Sequence, residues 1–354
     1  MLNRRDLLLG GAAALAAGSI RSAAAAAKPN ARRAGYGAAL TLHDLRTEPR
    51  LGPAIAKYCT QIVPVYELKW PTLRPDAHSF SFEKADALLD FAQANQMTMR
   101  GHNLVWYADL PDWTKDIQDA RSAERVLIDH ISTVVSYYSG KLTSWDVVNE
   151  PIPDKVSAPT DRRDCLWSKF LGQRYIPLAY RTAAAIDPLA QLTINEYDVE
   201  SVGPRFAAKR AAFRNLISDL MDQGVPLRAV GLQCHLHGDT EVDTDRLAAF
   251  VEEIRSWDLD VIVTELDVDD HTLPAPAAER DAIVAKRVTD VLSAITSKAP
   301  LDSILTWGIA DRYSWINQSL PRDDRLPNRP LPLDENFQPK LFWDAISKFT
   351  HETT

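Results

Sequence analysis

Two short stretches carry residue types from which hydrolytic chemistry can be built. Trp145-Asp146-Val147-Val148-Asn149-Glu150-Pro151 runs from an apolar segment into an amide and a carboxylate. Val261-Ile262-Val263-Thr264-Glu265-Leu266-Asp267 likewise ends in acidic residues. An unpaired carboxylate at a buried strand end costs several kcal/mol, so folding alone seldom selects one. A lysine or arginine partner would make either glutamate a structural ion pair. A matched pair of carboxyls has another use, the cleavage of a glycosidic bond. One protonates the leaving oxygen and the other attacks the anomeric carbon, the two lying about 5–5.5 Å apart when configuration is retained. The two must then differ, one staying protonated and the other ionised.

Other polar residues fall at comparable places. Gly101-His102, Asn195-Glu196, Gln233 with His235, and Trp307 also end short β-like runs. Strand alternation puts Gln233 and His235 on one face and sends Cys234 to the other, as a small core residue rather than a nucleophile. His102, Leu104 and Trp106 share parity, with Trp106 already at a loop.

These residues need a scaffold that brings strand ends together. Candidate strands are Gly35–Leu40, Gln61–Tyr66, Thr98–Leu104, Thr143–Val148, Leu192–Asn195, Ala229–His235, Val261–Glu265 and Ile304–Trp307. Between them lie stretches of helical period: Phe82–Asn95, Ala123–Ser139, Ile176–Ile186, Phe206–Gln223, Thr244–Trp257 and Ala277–Ser297. In Phe206–Gln223, Phe213, Leu216, Leu220 and Met221 fall on one face. Eight β/α units point to a closed parallel barrel or a doubly wound sheet. Six strands ending in polar or aromatic residues favour the barrel, whose active sites are built at that rim. The expected fold is therefore α/β, a single-domain (β/α)₈ TIM barrel over residues 28–354.

Taken in order, these stretches resemble the family 10 glycoside hydrolases, mostly endo-β-1,4-xylanases, across nearly the whole chain after residue 27. The matching residues are Glu67-Leu68-Lys69-Trp70, Arg100 through Trp106, Trp145 through Pro151, Ile194 through Tyr197, Val230 through Leu236, Thr264 through Asp267, Trp307-Gly308 and Asp311 through Trp315. The resemblance implies Glu150 as general acid/base and Glu265 as nucleophile. It implies that Asn149 holds the sugar 2-hydroxyl, and that His235, steadied by Asp267, hydrogen-bonds the nucleophile. Gln233, His102 and Lys69 would bind hydroxyls on the glycone side. Trp106, Trp307 and Trp315 would wall the cleft, and Tyr197 would face the aglycone. No metal or organic cofactor is needed for such chemistry.

Two departures bear on substrate. Before Glu67 the family usually carries a Glu-Asn pair that hydrogen-bonds the second glycone sugar; here stand Val65 and Tyr66. After Trp106 it usually reads His-Ser-Gln; here it reads Tyr107-Ala108-Asp109. A valine cannot replace charged hydrogen bonds worth about 1.5–3 kcal/mol each, so the second glycone position is expected to be weakened or reshaped.

Composition sets the remaining bounds. The 354 residues are 45% apolar and 25% charged, with a formal charge of −8 that argues against nucleic-acid or anionic-membrane partners. The expected partner is xylan or a xylo-oligosaccharide, and the protein is expected to be a monomer. Residues 1–27 open with Arg4-Arg5-Asp6-Leu7-Leu8, continue through a short Ala/Gly/Leu-rich run and end in Ala23 to Ala27. This pattern predicts a signal peptide of the twin-arginine type, and so a periplasmic or secreted protein. Cys59, Cys165 and Cys234 allow at most one disulfide. The rival readings are an enzyme of the same mechanism acting on short xylo-oligosaccharides, aryl or plant glycosides, and a catalytically silent carbohydrate-binding protein.

Overall fold

The computed structural model describes residues 34–351; the predicted signal segment, 1–27, lies outside them. Ten parallel strand segments form one sheet that closes on itself. They make eight barrel strands, because two strands are interrupted. In order these are β1 (Gly35–Leu40), β2 (Gln61–Pro64), β3 (Thr98–Met99 and Gly101–Val105), β4 (Ser144–Asn149), β5 (Gln191–Glu196), β6 (Ala229–Leu232 and His235–His237), β7 (Asp260–Asp269) and β8 (Ser303–Thr306). The first part of β3 pairs with β2, with Ile62 opposite Met99, and the second part pairs with β4, with Gly101 opposite Trp145. Arg100 joins the two parts, its N–H donating to the Ile62 carbonyl at 3.0 Å, and the barrel is thereby closed.

A helix follows each strand: α1 (Leu51–Tyr58), α2 (Glu83–Ala94), α3 (Ala120–Tyr138), α4 (Tyr175–Ile186), α5 (Pro204–Asp222), α6 (Thr244–Ser256), α7 (Ala277–Thr296) and α8 (Leu341–Ser347). Their starts follow local rules. Asp119 and Ser122 form a reciprocal capping box on α3, and Pro204 occupies the first turn of α5. Helix α3 buries Ala123, Leu127, His130, Ile131, Val134, Val135 and Tyr138, a stripe of helical period laid on the barrel. The expected face of α5 is present too, Phe213, Leu216 and Leu220 being buried and Met221 half-buried.

Inside the barrel a thin apolar layer of Ala39, Val63, Ala229, Ile262 and Leu305 is packed by Val65 and Trp307. Alanines at 39 and 229 alternate with the larger Val63, Ile262 and Leu305 in the limited room that opposing strands leave at the axis. On the β3–β4 side the interior holds a charge pair instead, Arg100 with Asp146, each side chain 1% exposed. Two burials of charge are tolerable only as a pair. Breaking this one is expected to be costly: Asp146→Leu should lose about 3–5 kcal/mol of stability. The double variant Arg100→Met/Asp146→Leu should lose less, because no uncompensated guanidinium remains. Urea unfolding of the variants checks this. An Asp146→Leu variant as stable as the parent would contradict it.

Candidate active site

Glu265 lies within β7 and is 4% exposed. Its backbone N–H donates to the Gln233 carbonyl at 3.1 Å, which registers it against the interruption in β6. Its Oε1 accepts from Asn195 Nδ2 at 2.6 Å, and its Oε2 lies 3.4 Å from His235 Nε2. His235 Nδ1 meets Asp267 at 2.7 Å, and the other Asp267 oxygen accepts from Trp315 Nε1 at 2.8 Å. On the opposite side His102 Nδ1 sits 3.9 Å from Glu265 and 3.0 Å from Asp146, which Arg100 in turn neutralises. Each histidine beside Glu265 is thus backed by an aspartate.

This arrangement decides the charge state. Burial alone pushes the Glu265 carboxyl up. His102, His235 and the Asn195 amide together outweigh it and hold the carboxyl down at about 2. For His235 burial favours the neutral ring, but Asp267 and Glu265 overcome it and raise its pKa well above the usual value. Glu265 is therefore an ionised carboxylate in a nearly dry site.

Glu150, at the end of β4, is held differently. It is half-buried and takes a left-handed backbone conformation (φ 55°), uncommon for a residue with a side chain. Its N–H donates to the Asn195 carbonyl at 2.8 Å. Trp106 Nε1 donates to Oε2 at 2.8 Å, while Asn149 Nδ2 and Gln233 Nε2 each reach Oε1 at 3.1 Å. Asn149 Oδ1 accepts from Asn195 Nδ2 at 2.9 Å and from Gln233 Nε2 at 3.2 Å. Three amides thus connect the two carboxyl groups. Asn195 fits there because Gly231 faces it; a Cβ at that position would lie 2.3 Å from Asn195 Oδ1.

The other expected residues gather around this pair. Lys69 is buried beside the Trp106 ring, 4.5 Å from its centroid, and 5.4 Å from that of Tyr66. Burial lowers its pKa more than Glu265, Asp109, Glu150 and Glu67 raise it. Trp307 sets its ring edge-on to His102 at 5.0 Å, and Trp315, 38% exposed, does so to His235 at 5.5 Å. His102 is 2% exposed with its ring nitrogens against Asp146 and Asn103. Tyr197 is anchored rather than free. Its hydroxyl donates to Asp154 and accepts from Arg163 Nη2 at 2.9 Å, and Lys209 Nζ lies 3.2 Å from its ring centroid.

Several participants have no role assigned by the sequence alone. Asn195 and Asp146 stood in quoted stretches, but nothing in a linear reading shows that they touch Glu265 or His102. Arg100 also lay in plain view, as the residue that interrupts β3. Arg163 gave no signal at all, since it lies on a loop. Among the described residues one group has spacing that could hold a metal ion, His102, Asp146 and Glu265; there Asp146 already has the Arg100 guanidinium as its cation.

Removing one support of the Glu265 carboxylate should show in the pH profile. With its pKa near 2 the Glu265 carboxyl stays ionised until strongly acid pH. In His235→Phe burial is less opposed, so the carboxyl takes up its proton at higher pH. The acid limb of kcat/KM should then move upward by about one pH unit or more. An unmoved limb would show that His235 does not hold the charge.

Comparison with known proteins agrees with this geometry. The model of glycosyl hydrolase family 10 matches residues 24–349. The chain is 33% identical over 328 residues to endo-1,4-beta-xylanase B of Paenibacillus barcinonensis, covering 88% of this chain and 94% of that one. It is 34% identical over 291 residues to endo-1,4-beta-xylanase C of Phanerodontia chrysosporium, covering 81% and 68%. Among solved structures, xylanase 10B from Thermotoga petrophila RKU-1 in complex with xylobiose superimposes with a TM-score of 0.80 at 28% identity, over 90% of this chain and 93% of that one. Xylanase XynB from Paenibacillus barcinonensis gives 0.78 at 32% identity, over 89% and 95%. Sequence and fold converge, and the chain belongs to glycosyl hydrolase family 10, a family of glycoside hydrolases.

Proposed function

We propose that this enzyme is a retaining endo-β-1,4-xylanase that cleaves xylan by double displacement and is exported through a twin-arginine-type signal in residues 1–27. The observation that carries the mechanism is the contrast between the carboxyls. Glu265 is buried and held ionised by two histidines and an amide, whereas Glu150 is half-buried at the rim. In the first step Glu150 gives its proton to the glycosidic oxygen as Glu265 attacks the anomeric carbon, and the leaving sugar departs with its hydroxyl restored. In the second, Glu150 takes a proton from water, the water oxygen bonds to the anomeric carbon, and Glu265 is released as carboxylate. Asn149, held by Gln233 and Asn195, would meet the 2-hydroxyl in this reading. Xylan as substrate is supported by the relatives, which are named as xylanases.

A second reading is favoured by the rim of β2. Val65 packs against the apolar layer inside the barrel, and Tyr66 is 55% exposed. The Glu67 carboxylate is already taken, accepting from the Leu42 N–H at 2.7 Å and the Tyr66 N–H at 3.2 Å. No free carboxylate on this strand end is left to read a second glycone sugar. The same mechanism would then act on short xylo-oligosaccharides, aryl or plant glycosides.

Product analysis of the mature enzyme on xylan and on a xylo-oligosaccharide ladder separates the two. Internal cutting of the polymer to mixed oligomers is the expected result. Turnover of short or aryl substrates with polymer untouched would overturn the endo reading and support the second. An aryl β-xyloside should release its phenol with the parent enzyme and not with Glu265→Ala. A parent enzyme without any turnover would make the protein a binding protein instead.

A further inference from the structure

The loop that leaves β4 doubles back on the residue that starts it. Glu150 stands in a left-handed conformation, which for a residue with a side chain persists only when its surroundings hold it. Its N–H is held by the Asn195 carbonyl. Its carbonyl accepts from Arg163 Nε at 2.9 Å, thirteen residues further along the chain. The Arg163 N–H donates to the Pro151 carbonyl at 2.7 Å, closing the loop on itself. The next N–H, that of Ile152, donates to the buried Glu196 carboxylate at 2.9 Å, and Glu196 is paired with buried Lys209 at 3.1 Å.

Arg163 is itself fixed on every side. Its guanidinium donates to Asp154 at 3.0 Å and to the Tyr197 hydroxyl at 2.9 Å, and lies 4.2 Å from the centroid of the Tyr107 ring. It is 9% exposed. A side chain so held serves as a rigid peg rather than as a flexible charge. The planar fork lets Nε meet the Glu150 carbonyl while Nη2 meets Asp154 and Tyr197, a pattern a lysine cannot reproduce.

We infer that Arg163 is a positioning residue for the acid/base, fixing the Glu150 turn so that the carboxyl meets the leaving oxygen. The inference rests on the reading of Glu150 as the proton donor. Arg163 touches the peptide that bears the acid, not the reacting atoms. Its loss lets the turn drift, and misplacement of about 1 Å can cost 10²-fold where proton transfer must be aligned. A substrate whose leaving group needs no proton is insensitive to such drift, because general acid assistance, worth about 10²–10⁴-fold, is not being used.

The test compares kcat/KM for phenyl β-xyloside, a poor leaving group, and 2,4-dinitrophenyl β-xyloside, a good one. It uses the full chain and its Arg163→Lys variant, with thermal unfolding followed in parallel. The phenyl substrate should lose about tenfold more than the dinitrophenyl substrate. Equal loss on both would make Arg163 a loop staple only and overturn the inference, because a smaller folded fraction lowers both alike. If Arg163→Lys fails to fold, Asp154→Asn loosens the same guanidinium from its far side. It should shift the ratio in the same direction by a smaller factor, and an unchanged ratio there is equally contrary. Failure of the parent enzyme to cleave either xyloside would instead overturn the functional reading itself.

Discussion

An ionised carboxylate in a nearly dry barrel is the constraint on which the site depends. Glu265 has 4% of its surface exposed, and burial by itself would neutralise it. It stays charged because basic and acidic side chains alternate across the barrel: Arg100, Asp146, His102, Glu265, His235 and Asp267, with the Trp315 N–H at the end. These residues come from β3, β4, β6 and β7 and from the loop after β8, so the row exists only when the barrel closes in register. Low dielectric strengthens every contact in the row and makes each unpaired member costly. Stability and chemistry therefore rest on the same interactions.

The second carboxyl is set up by backbone rather than by charge. The left-handed residues include Glu150 at the end of β4, Asp198 just beyond β5, and Cys234 inside the break of β6. Glu150 and Asp198 turn the chain where strands give way to loops, and Cys234 turns it between the two segments of β6. The bend at Glu150 lifts its side chain toward Trp106 and Gln233 instead of leaving it in the strand's own face. A buried carboxylate beside histidines and amides and a rim carboxyl on a braced turn give two like groups different surroundings.

Much of this was legible in the sequence because strand ends and helix faces have periodic signatures. The eight strands, the six longer helices and the paired glutamates are where the residue pattern puts them, with ends shifted by a few residues. What alternation missed lies where alternation fails. Cys234 is buried opposite Gln233 and His235 as expected, yet through a left-handed residue in a broken strand rather than by simple parity. Leu104 packs in the core between barrel and helices, away from His102, because the β3–β4 pairing slips between His102 and Val105. Helices α1 and α8 are short and lacked a long enough period to stand out. Arg163 and the clamp on Tyr197 depend on a loop returning to its origin, and no local pattern encodes that.

Trapping of a glycosyl-enzyme tests most directly whether Glu265 is the ionised nucleophile. A 2-deoxy-2-fluoro-β-xyloside with a good leaving group slows breakdown of a glycosyl-enzyme, so the adduct can be located by peptide mass spectrometry. One fluoroxylosyl group per chain is expected, on the peptide containing Glu265. An adduct on Glu150, or release of product with inverted configuration and no adduct, would contradict it.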